Sequence, residues 1–438
     1  MDLLRNIFKG DKGIWIIFLF LCLISVVEVF SASASLTYKS GDHWAPITQH
    51  IILLSIGVVI VVLVHNISYK WFQVFPVFLL PLSVFLLGFV TLMGFITGDR
   101  VGGAARFMSF MGLSFQPSEL AKMAVIIATA FILSKNQNEK GATSQAFKYI
   151  LWITLVVCGL IFPENFSTAA LLFGVVFLMM FIGRVAAKKL LLLGGSIVGL
   201  AILGVSFLIL TKNSDIPFLH RFDTWTARIE RFFQDDTPAS AAEFKISDKN
   251  AQVAHARIAV ATSNVLGKGP GNSVQRDFLS LAFSDFIYAI IIEELGLLPA
   301  GGVVLLYIWL LVRAGRIARK CDRTFPAFLV IGIALLLVTQ ALFNMMVAVG
   351  LAPVTGQPLP LVSKGGTSIF INCAYIGMIL SVSRYTAKLD EENAILEAQR
   401  LHDEQIPMEI GTGSETFSDA QTAEDPTSKI LNSDEEFK

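Results

Sequence analysis

Residues 284–296 read SDFIYAIIIEELG, and this stretch joins a long polar segment to a long apolar one. Asp285 stands where the chain enters the apolar run, and Glu293 and Glu294 follow within it. Carboxylates at membrane depth cost free energy and are usually functional. We therefore take Asp285 as the candidate chemical centre. An aspartate that begins a helix can also serve only as its N-cap, and the sequence leaves that alternative open.

The composition is that of a membrane protein. Of the 438 residues, 54% are hydrophobic and only 16% are charged, so the apolar share exceeds that of a soluble domain. The net charge is +0, which gives no basic field for nucleic acid. No Cys/His cluster has zinc-site spacing, and the four cysteines are expected to be free thiols. The fold class predicted is an all-α polytopic membrane protein.

About ten apolar runs have the length of a transmembrane helix. Their approximate bounds are 14–30, 47–64, 72–92, 117–133, 149–162, 167–182, 190–210, 285–312, 328–349 and 367–382. Residues 14–385 would form the transmembrane domain, after a cytoplasmic N-terminus of residues 1–13. Residues 386–438 are predicted to form an acidic cytoplasmic tail that begins as a helix and continues in a disordered segment. The tail is either solvated without a specific role or a cytoplasmic docking segment.

Lysines and arginines occupy alternate loops, which places those loops and both termini in the cytoplasm. Two longer segments on the opposite, outer side break the pattern, at residues 97–116 and at about 211–284, between spans 7 and 8. A connection as long as the second is usually functional. Two helices are predicted in it. The helix at 222–233 lies in the lipid headgroups or packs on protein, and the helix at 250–265 could end at Gly267.

Two groups of charged residues precede this connection. Arg106 lies in a Gly-rich loop and carries the paired donors that recognise phosphate, although any outer loop can carry an arginine. Glu119 and Lys122 follow Pro117 and share one helical face. They predict an ion pair that either positions its helix or contacts substrate.

The segment from Lys268 to Asp285 offers further ligands. Lys268 and Arg276 could bind an anionic headgroup, whereas Asn272 and Gln275 could donate hydrogen bonds to sugar hydroxyls. A carboxylate such as Asp285 can act as a general base.

The two glutamates after Asp285 are assigned a supporting role. Glu293 and Glu294 would lie roughly 12–14 Å along a continuous helix from Asp285. They are therefore expected to pair with polar groups in the bundle interior.

Residues 350–368 form a loop rich in proline and glycine, with Lys364 near its end. Such a sequence cannot form a regular helix. Non-helical backbone near membrane depth is tolerated against protein or a water-filled cavity. The loop is thus predicted either to line the site or to be a re-entrant segment with a structural role only.

These stretches resemble the SEDS family (shape, elongation, division and sporulation). The matching residues are GAAR at 103–106, FQPSELAK at 115–122, GPGNSVQR at 269–276, SDFIYA at 284–289, EELG at 293–296 and PVTGQPLP at 353–360. The resemblance covers residues 14–384. GNS at 271–273 and SASA at 31–34 resemble the division branch more than the elongation branch. Three stretches depart from the family pattern, at 163–168, 280–283 and 363–368, and the second lacks an acid that many relatives have beside the Asp285 position.

The resemblance implies a peptidoglycan glycosyltransferase that polymerises lipid II at the outer face of the bacterial cytoplasmic membrane, at the division septum. Asp285 would be its general base, and Arg106, Lys268, Arg276 and Lys364 would hold pyrophosphates. The implied partners are a class B penicillin-binding protein, other divisome proteins and membrane lipids. A divalent cation, Mg²⁺ or Mn²⁺, is left open, and no other cofactor is implied.

Three other functions fit part of the sequence. A lipid II flippase would also have ten spans, intramembrane acids and broken helices. The absence of a recognisable inverted repeat and the gathering of polar features on one face disfavour it. An elongation-type glycan polymerase and a scaffold without activity are the remaining alternatives.

Overall fold

The structure, a computed structural model, describes residues 9–32, 44–97, 108–110, 113–139, 141–210, 251–279 and 282–405. Its helices are α1 Lys12–Ala32, α2 Ala45–Asn66, α3 Phe75–Thr97, α4 Pro117–Lys135, α5 Ser144–Ile161, α6 Phe166–Ile182, α7 Ala187–Leu210, α8 Ala251–Ala261, α9 Ile287–Leu295, α10 Leu297–Lys320, α11 Thr324–Ala348 and α12 Ser368–Gln405. Short 3-10 helices span Tyr69–Gln73 and Gln275–Asp277. Two antiparallel pairs join β1 Met108–Phe110 to β2 Leu113–Phe115, and β3 Gln137–Asn138 to β4 Gly141–Ala142.

The described ranges contain nine helices that are long and apolar enough to cross a membrane. A tenth apolar helix, α6, has 17 residues and stands where the sixth span is predicted. An all-α polytopic membrane fold with about ten spans is therefore confirmed. The strands are too short to form more than local hairpins.

The helices α4 and α11 are largely buried, and they cross at the centre of the bundle. Gly332 of α11 packs tightly against α4, because a Cβ there would lie 3.1 Å from a methyl carbon of Ile126. The same Cβ would lie 2.5 Å from the Cε atom of Met179 on α6. Small residues at such crossings let helix backbones approach closely in membrane proteins. By contrast, α7 is mostly exposed.

The loops that contain lysines and arginines, which are predicted to share one side of the membrane, meet at one end of the bundle. Arg313 pairs with Asp11 before α1, with 3.0 Å between its Nε and the Asp11 Oδ1. Arg384 donates to the Asn66 side chain at 3.1 Å, at the end of α2. The predicted alternation of the loops is thus supported. Arg313 lies within α10 and not in a loop, since that helix runs to Lys320.

The span predicted at residues 285–312 is wrong, because the chain breaks at Gly296. Helix α9 ends at Leu295 and α10 begins at Leu297. Gly296 has a φ of 94°, and a Cβ on it would lie 2.4 Å from the nitrogen of Gly267. Only glycine accepts this conformation and this approach without strain. The predicted span therefore consists of the short, buried α9 and the membrane-length α10.

Main-chain hydrogen bonds join residues 264–269 to residues 293–298, and we call this junction the neck. The bond from Lys268 N to Glu293 O is 3.1 Å and that from Gly269 N to Glu294 O is 2.8 Å. On the other side, Leu297 N donates to Asn264 O at 3.2 Å. The neck fixes where the chain enters and leaves the segment that contains Asp285.

The described part of the long connection before Asp285 contains α8, which confirms the second predicted helix. It ends at Ala261, before the predicted end near Gly267. The predicted helix at 222–233 lies outside the described residues.

The chain divides into two compact units, Met1–Lys388 and Leu389–Lys438. The described part of the second unit is the helical end of α12, as predicted for the start of the tail, and residues 406–438 lie outside the described ranges. All four cysteines fall within those ranges and are free, as predicted.

Candidate active site

Asp285 lies in a turn, residues 282–286, immediately before α9. The N-cap of α9 is Phe286, so the alternative that Asp285 is only a helix cap is wrong. The Asp285 side chain is partly exposed, and its Oδ1 accepts a hydrogen bond from Ser284 Oγ at 3.0 Å. The carboxylate is therefore placed by the turn that carries it and not by the helix that follows.

Three consecutive carbonyl groups fix this turn. The carbonyl of Phe283 accepts from Lys364 N at 2.9 Å, and that of Ser284 accepts from Ser363 Oγ at 2.6 Å. The carbonyl of Asp285 accepts from Asn344 Nδ2 at 2.8 Å. Two of the donors belong to the loop at 350–368 and the third belongs to α11. Residues 283–285 of the turn are thus held by groups from distant parts of the sequence.

The loop at 350–368 is non-helical, as predicted, and residues 359–363 in its middle are buried. Asn344 donates its second N–H to the Gln357 carbonyl at 2.7 Å, and Gln357 Nε2 donates to Thr168 Oγ1 of α6 at 2.5 Å. Tyr307 of α10 donates to the Pro360 carbonyl. The carbonyls of Gln357 and Pro360 thus accept hydrogen bonds from the surrounding helices, as irregular backbone at membrane depth requires.

Glu119 and Lys122 form the predicted ion pair, with 2.8 Å between Nζ and Oε1. Both side chains are buried, and Lys122 Nζ also donates to Gln340 Oε1 at 2.8 Å. Gln340 in turn donates from Nε2 to the Pro358 carbonyl at 3.1 Å. The pair therefore supports the loop at 350–368 from α4 through α11.

Glu293 binds the segment that follows the neck. Its carboxylate accepts from Lys268 Nζ at 2.6 Å, Ser273 Oγ at 2.5 Å, Val274 N at 3.2 Å and Gln275 N at 3.3 Å. Burial raises the pKa of the Glu293 carboxyl, but these hydrogen bonds outweigh burial and leave its pKa below the ordinary value.

Glu294 binds the same segment from the other side. Its carboxylate accepts from Gly271 N at 2.9 Å and Ser273 N at 3.1 Å, and from the hydroxyl of Ser31 on α1. Arg276 Nη1 lies 3.8 Å from its Oε1. The predicted pairing of both glutamates with interior polar groups is thus observed, and the groups belong mainly to residues 268–276.

The predicted headgroup ligands are engaged within this segment. Lys268 and Arg276 face Glu293 and Glu294, so an anionic ligand would have to compete with two carboxylates for them. Asn272 donates to the Lys268 carbonyl at 3.0 Å. Gln275 Oε1 lies 2.8 Å from Nδ1 of His255 on α8. Their roles in substrate binding stay predictions.

Lys364 lies beside the Asp285 turn. Its ammonium sits over the ring of Phe283, 5.8 Å from the ring centroid, and burial lowers its pKa from the ordinary value. Lys364 is therefore the predicted cation whose backbone is bonded directly to the turn. Arg106 lies outside the described residues.

A small cleft opens beside this region between α3, α4, α5 and α6. Its lining includes Val90, Gln116 and Asn165. Asn165 caps α6 by accepting from Thr168 N at 3.2 Å, while its Nδ2 has no partner among the described residues. Thr168 also accepts a hydrogen bond from Gln357, so Asn165 is linked through Thr168 to the loop at 350–368.

The described residues contain no group of three or more His, Cys, Asp and Glu side chains arranged to hold a metal. Glu293 and Glu294 already accept hydrogen bonds from protein groups, which leaves Asp285 as the acid of the turn. These residues do not make a ligand set for Mg²⁺ or Mn²⁺, which favours several oxygen ligands. The divalent cation stays a prediction, and no chemical step is derived through it.

Asn344, Gln340 and Ser363 also contribute to the site, although the sequence did not indicate them as site residues. Gln340 and Asn344 are four residues apart in an apolar span, so they share one helical face. Two amides on one face of a membrane helix predict an interior polar contact. That signal was present, but it did not identify the Asp285 turn as the partner.

The fold and the site define a class, a polytopic helical membrane protein with a candidate acid-base residue on a fixed turn at the end of the bundle opposite the basic loops. The chain belongs to the SEDS family. Residues 11–388 match the family described as "Cell cycle protein", whose model combines FtsW, RodA and SpoVE proteins.

Two relatives named "Probable peptidoglycan glycosyltransferase FtsW" match almost along their whole length. The protein of Geobacter sp. (strain M18) is 30% identical over 384 residues, covering 87% of this chain and 98% of the relative. That of Halomonas elongata is 30% identical over 381 residues, covering 85% and 90%. These relatives support the division branch.

Two solved structures share the fold. A chain of a peptidoglycan synthase complex that coordinates polymerization and crosslinking superposes with a TM-score of 0.64 at 23% identity, covering 86% of this chain and 99% of that one. The rod shape determining protein RodA of Thermus thermophilus has a TM-score of 0.59 at 22% identity, covering 86% and 98%.

Proposed function

We propose that this chain is a peptidoglycan glycosyltransferase that joins the disaccharide units of lipid II into glycan strands for the division septum. The observation that carries the proposal is the Asp285 turn, whose three carbonyls are bonded to Lys364, Ser363 and Asn344 while its carboxylate stays partly exposed. A general base must be held in this way, within reach of the proton that it removes. Relatives that match the chain along most of its length carry the same name.

In this mechanism the Asp285 carboxylate removes the proton of the 4-hydroxyl of the acceptor sugar. The hydroxyl oxygen forms a bond to C1 of the donor sugar as the bond from C1 to undecaprenyl pyrophosphate breaks. The proton stays on Asp285, and the electron pair of the broken bond leaves with the pyrophosphate. Displacement from the opposite face inverts the configuration at C1.

The cations near the turn are assigned to the pyrophosphates. Lys364 is favoured by its contact with Phe283, a residue of the turn. Lys268 and Arg276 are assigned by their place in the connection before Asp285, where Glu293 and Glu294 hold them and partly neutralise their charge. Arg106 completes the set on the basis of its sequence alone.

The reaction is assigned to the outer face of the cytoplasmic membrane, with both termini in the cytoplasm. The meeting of the basic loops at the other end of the bundle supports this orientation. A class B penicillin-binding protein is the proposed partner. The likeness to a chain of a peptidoglycan synthase complex supports it.

The test is polymerisation of lipid II by the purified full chain together with a class B penicillin-binding protein. We expect Asp285→Asn to abolish glycan strands while the protein keeps its thermal stability. Glu139→Gln is the control, because Glu139 is an exposed acid between β3 and β4, and it should keep the activity. Full activity of Asp285→Asn would exclude Asp285 as the base. Translocation of lipid II in liposomes without any polymer would establish the flippase instead.

The branch is tested in cells. Depletion of a division-branch enzyme should give filaments, whereas rounded cells would assign the chain to elongation. A strain that depends on Asp285→Ala and divides normally would support the scaffold without activity.

A further inference from the structure

His50 of α2 and Ser25 of α1 reach the loop at 350–368 from the bundle interior. Both side chains are fully buried. His50 Nε2 lies 2.8 Å from Ser25 Oγ, and Ser25 Oγ donates to the carbonyl of Val362 at 2.7 Å. These two residues thus connect the first two helices to the segment directly before Ser363 and Lys364.

The hydrogen-bond pattern assigns the imidazole tautomer. The Ser25 hydroxyl has one hydrogen, and the Val362 carbonyl can only accept, so that hydrogen points to Val362. His50 Nε2 must therefore be the donor to Ser25. The interaction is directional, from His50 to Ser25 to Val362.

The bonded carbonyl adjoins a strained residue. Leu361 has a φ of 66°, in the left-handed region that bulky side chains rarely adopt. Such a conformation persists only when the surrounding structure holds it. The hydrogen bond from Ser25 to the carbonyl of Val362, the residue after Leu361, is one of the restraints that hold this left-handed conformation.

The restraint continues to the candidate base. Ser363 and Lys364 follow Val362 and donate to the carbonyls of Ser284 and Phe283. We propose that His50 is a positioning residue for Asp285, acting through Ser25 and the backbone of residues 361–364. The catalytic part of this inference rests on the proposed function, whereas the restraint on the loop does not.

The experiment compares His50→Gln with His50→Leu in the full chain. The glutamine amide can place an N–H near the position of Nε2, whereas leucine has no donor. His65→Leu is the matched control, since His65 is a second fully buried histidine of α2, and its ring packs against Trp15, ten residues before Ser25 on α1. Ser25→Ala removes the next member of the chain.

The first measurement is amide hydrogen exchange over residues 359–366 in detergent. His50→Leu and Ser25→Ala should each speed exchange there by about tenfold, the size expected when a buried hydrogen bond is lost. His50→Gln and His65→Leu should stay within about twofold of the unchanged chain. The double variant of His50 and Ser25 should resemble either single variant, because they act as one unit.

The second measurement is the rate of glycan polymerisation with the class B partner. His50→Leu should lower kcat by about tenfold with little change in KM, and His50→Gln should restore kcat. The inference is overturned by wild-type exchange in His50→Leu, or by equal damage in His50→Gln and His50→Leu. Faster exchange in His50→Leu together with full activity of Asp285→Asn would leave the restraint standing and reject the proposed function.

Discussion

The side-chain amide of Asn344 donates a hydrogen bond to the main-chain carbonyl of Asp285 at 2.8 Å. Its second N–H goes to the carbonyl of Gln357 at 2.7 Å, so one residue of α11 joins the Asp285 turn to the loop at 350–368. Asn344 is buried, and neither of its two bonds has water as a ready substitute. The position of the candidate base therefore depends on a side chain 59 residues away in the sequence.

Asn344→Ala is expected to destabilise the protein by about 2–4 kcal/mol, because two buried carbonyls lose their donor. The polymerisation rate should fall by about tenfold or more, since the Asp285 turn is released on one side. Thermal unfolding and the lipid II assay would measure the two effects. Asn136→Ala is the control. It removes a side-chain amide that donates to the Ile132 carbonyl at the C-terminal end of α4, and the polymerisation rate should be unchanged. A wild-type rate for Asn344→Asp, which keeps the shape but loses both donors, would contradict this account.

Lys122→Met is expected to cost about 3–5 kcal/mol, because it leaves the Glu119 carboxylate buried without its cation. The double variant Glu119→Gln with Lys122→Met should recover much of that loss, since no charge is then left unpaired. Thermal unfolding of the two variants in the same detergent compares them directly. Equal stability of the single and double variants would show that the buried pair is not the source of the effect.

Glu293 should make stability depend on pH in a defined direction. Its pKa in the folded protein lies below the value of about 4.3 expected when unfolded. Its contribution is thus fully present above pH 4.3 and is lost as the pH falls through the folded pKa. Glu293→Gln should lower stability at neutral pH and flatten the decline between about pH 5 and pH 3. If the melting temperatures of the two proteins change equally with pH over that range, the assigned hydrogen bonds are contradicted.

Gly296→Ala is expected to destabilise the neck by about 2 kcal/mol or more, since alanine at φ 94° is strained. Its Cβ would also lie 2.5 Å from the Val265 carbonyl oxygen, and backbone cannot yield as a side chain can. Gly301→Ala is the matched control within α10. No atom lies within 4 Å of the Cβ that it would add, and the change should be neutral or stabilising by about 0.5–1 kcal/mol. Thermal unfolding of both variants checks the prediction.

The bundle itself was predictable, because membrane-length apolar runs leave few alternatives for the backbone. The contact of Glu119 with Lys122 was also predictable, since residues three apart share a helical face. The break at Gly296 was not, because a single glycine is tolerated in an apolar helix. Its conformation is imposed by the close approach of Gly267, which lies within the long connection.

The neighbours of Asp285 could not be found from sequence spacing. Asn344, Ser363 and Lys364 reach it through tertiary packing, and nothing local to residue 285 indicates them. The partners of Lys268 and Arg276 were also not predictable in this way. Both were predicted to bind an anionic ligand, and the fold places them against Glu293 and Glu294. Periodicity identifies which face of a helix is polar, but not which distant carbonyl that face will meet.

The neck makes residues 267–296 a closed ring of about thirty residues, joined to the bundle where it starts and where it ends. The entropy lost on closing such a ring depends only weakly on its length. An insertion between the exposed residues Asp277 and Phe278 would therefore cost little chain entropy, whereas an insertion at Ser273 would break hydrogen bonds to Glu293 and Glu294. Chain length can thus vary in one part of the ring while the part that contacts the two carboxylates stays the same.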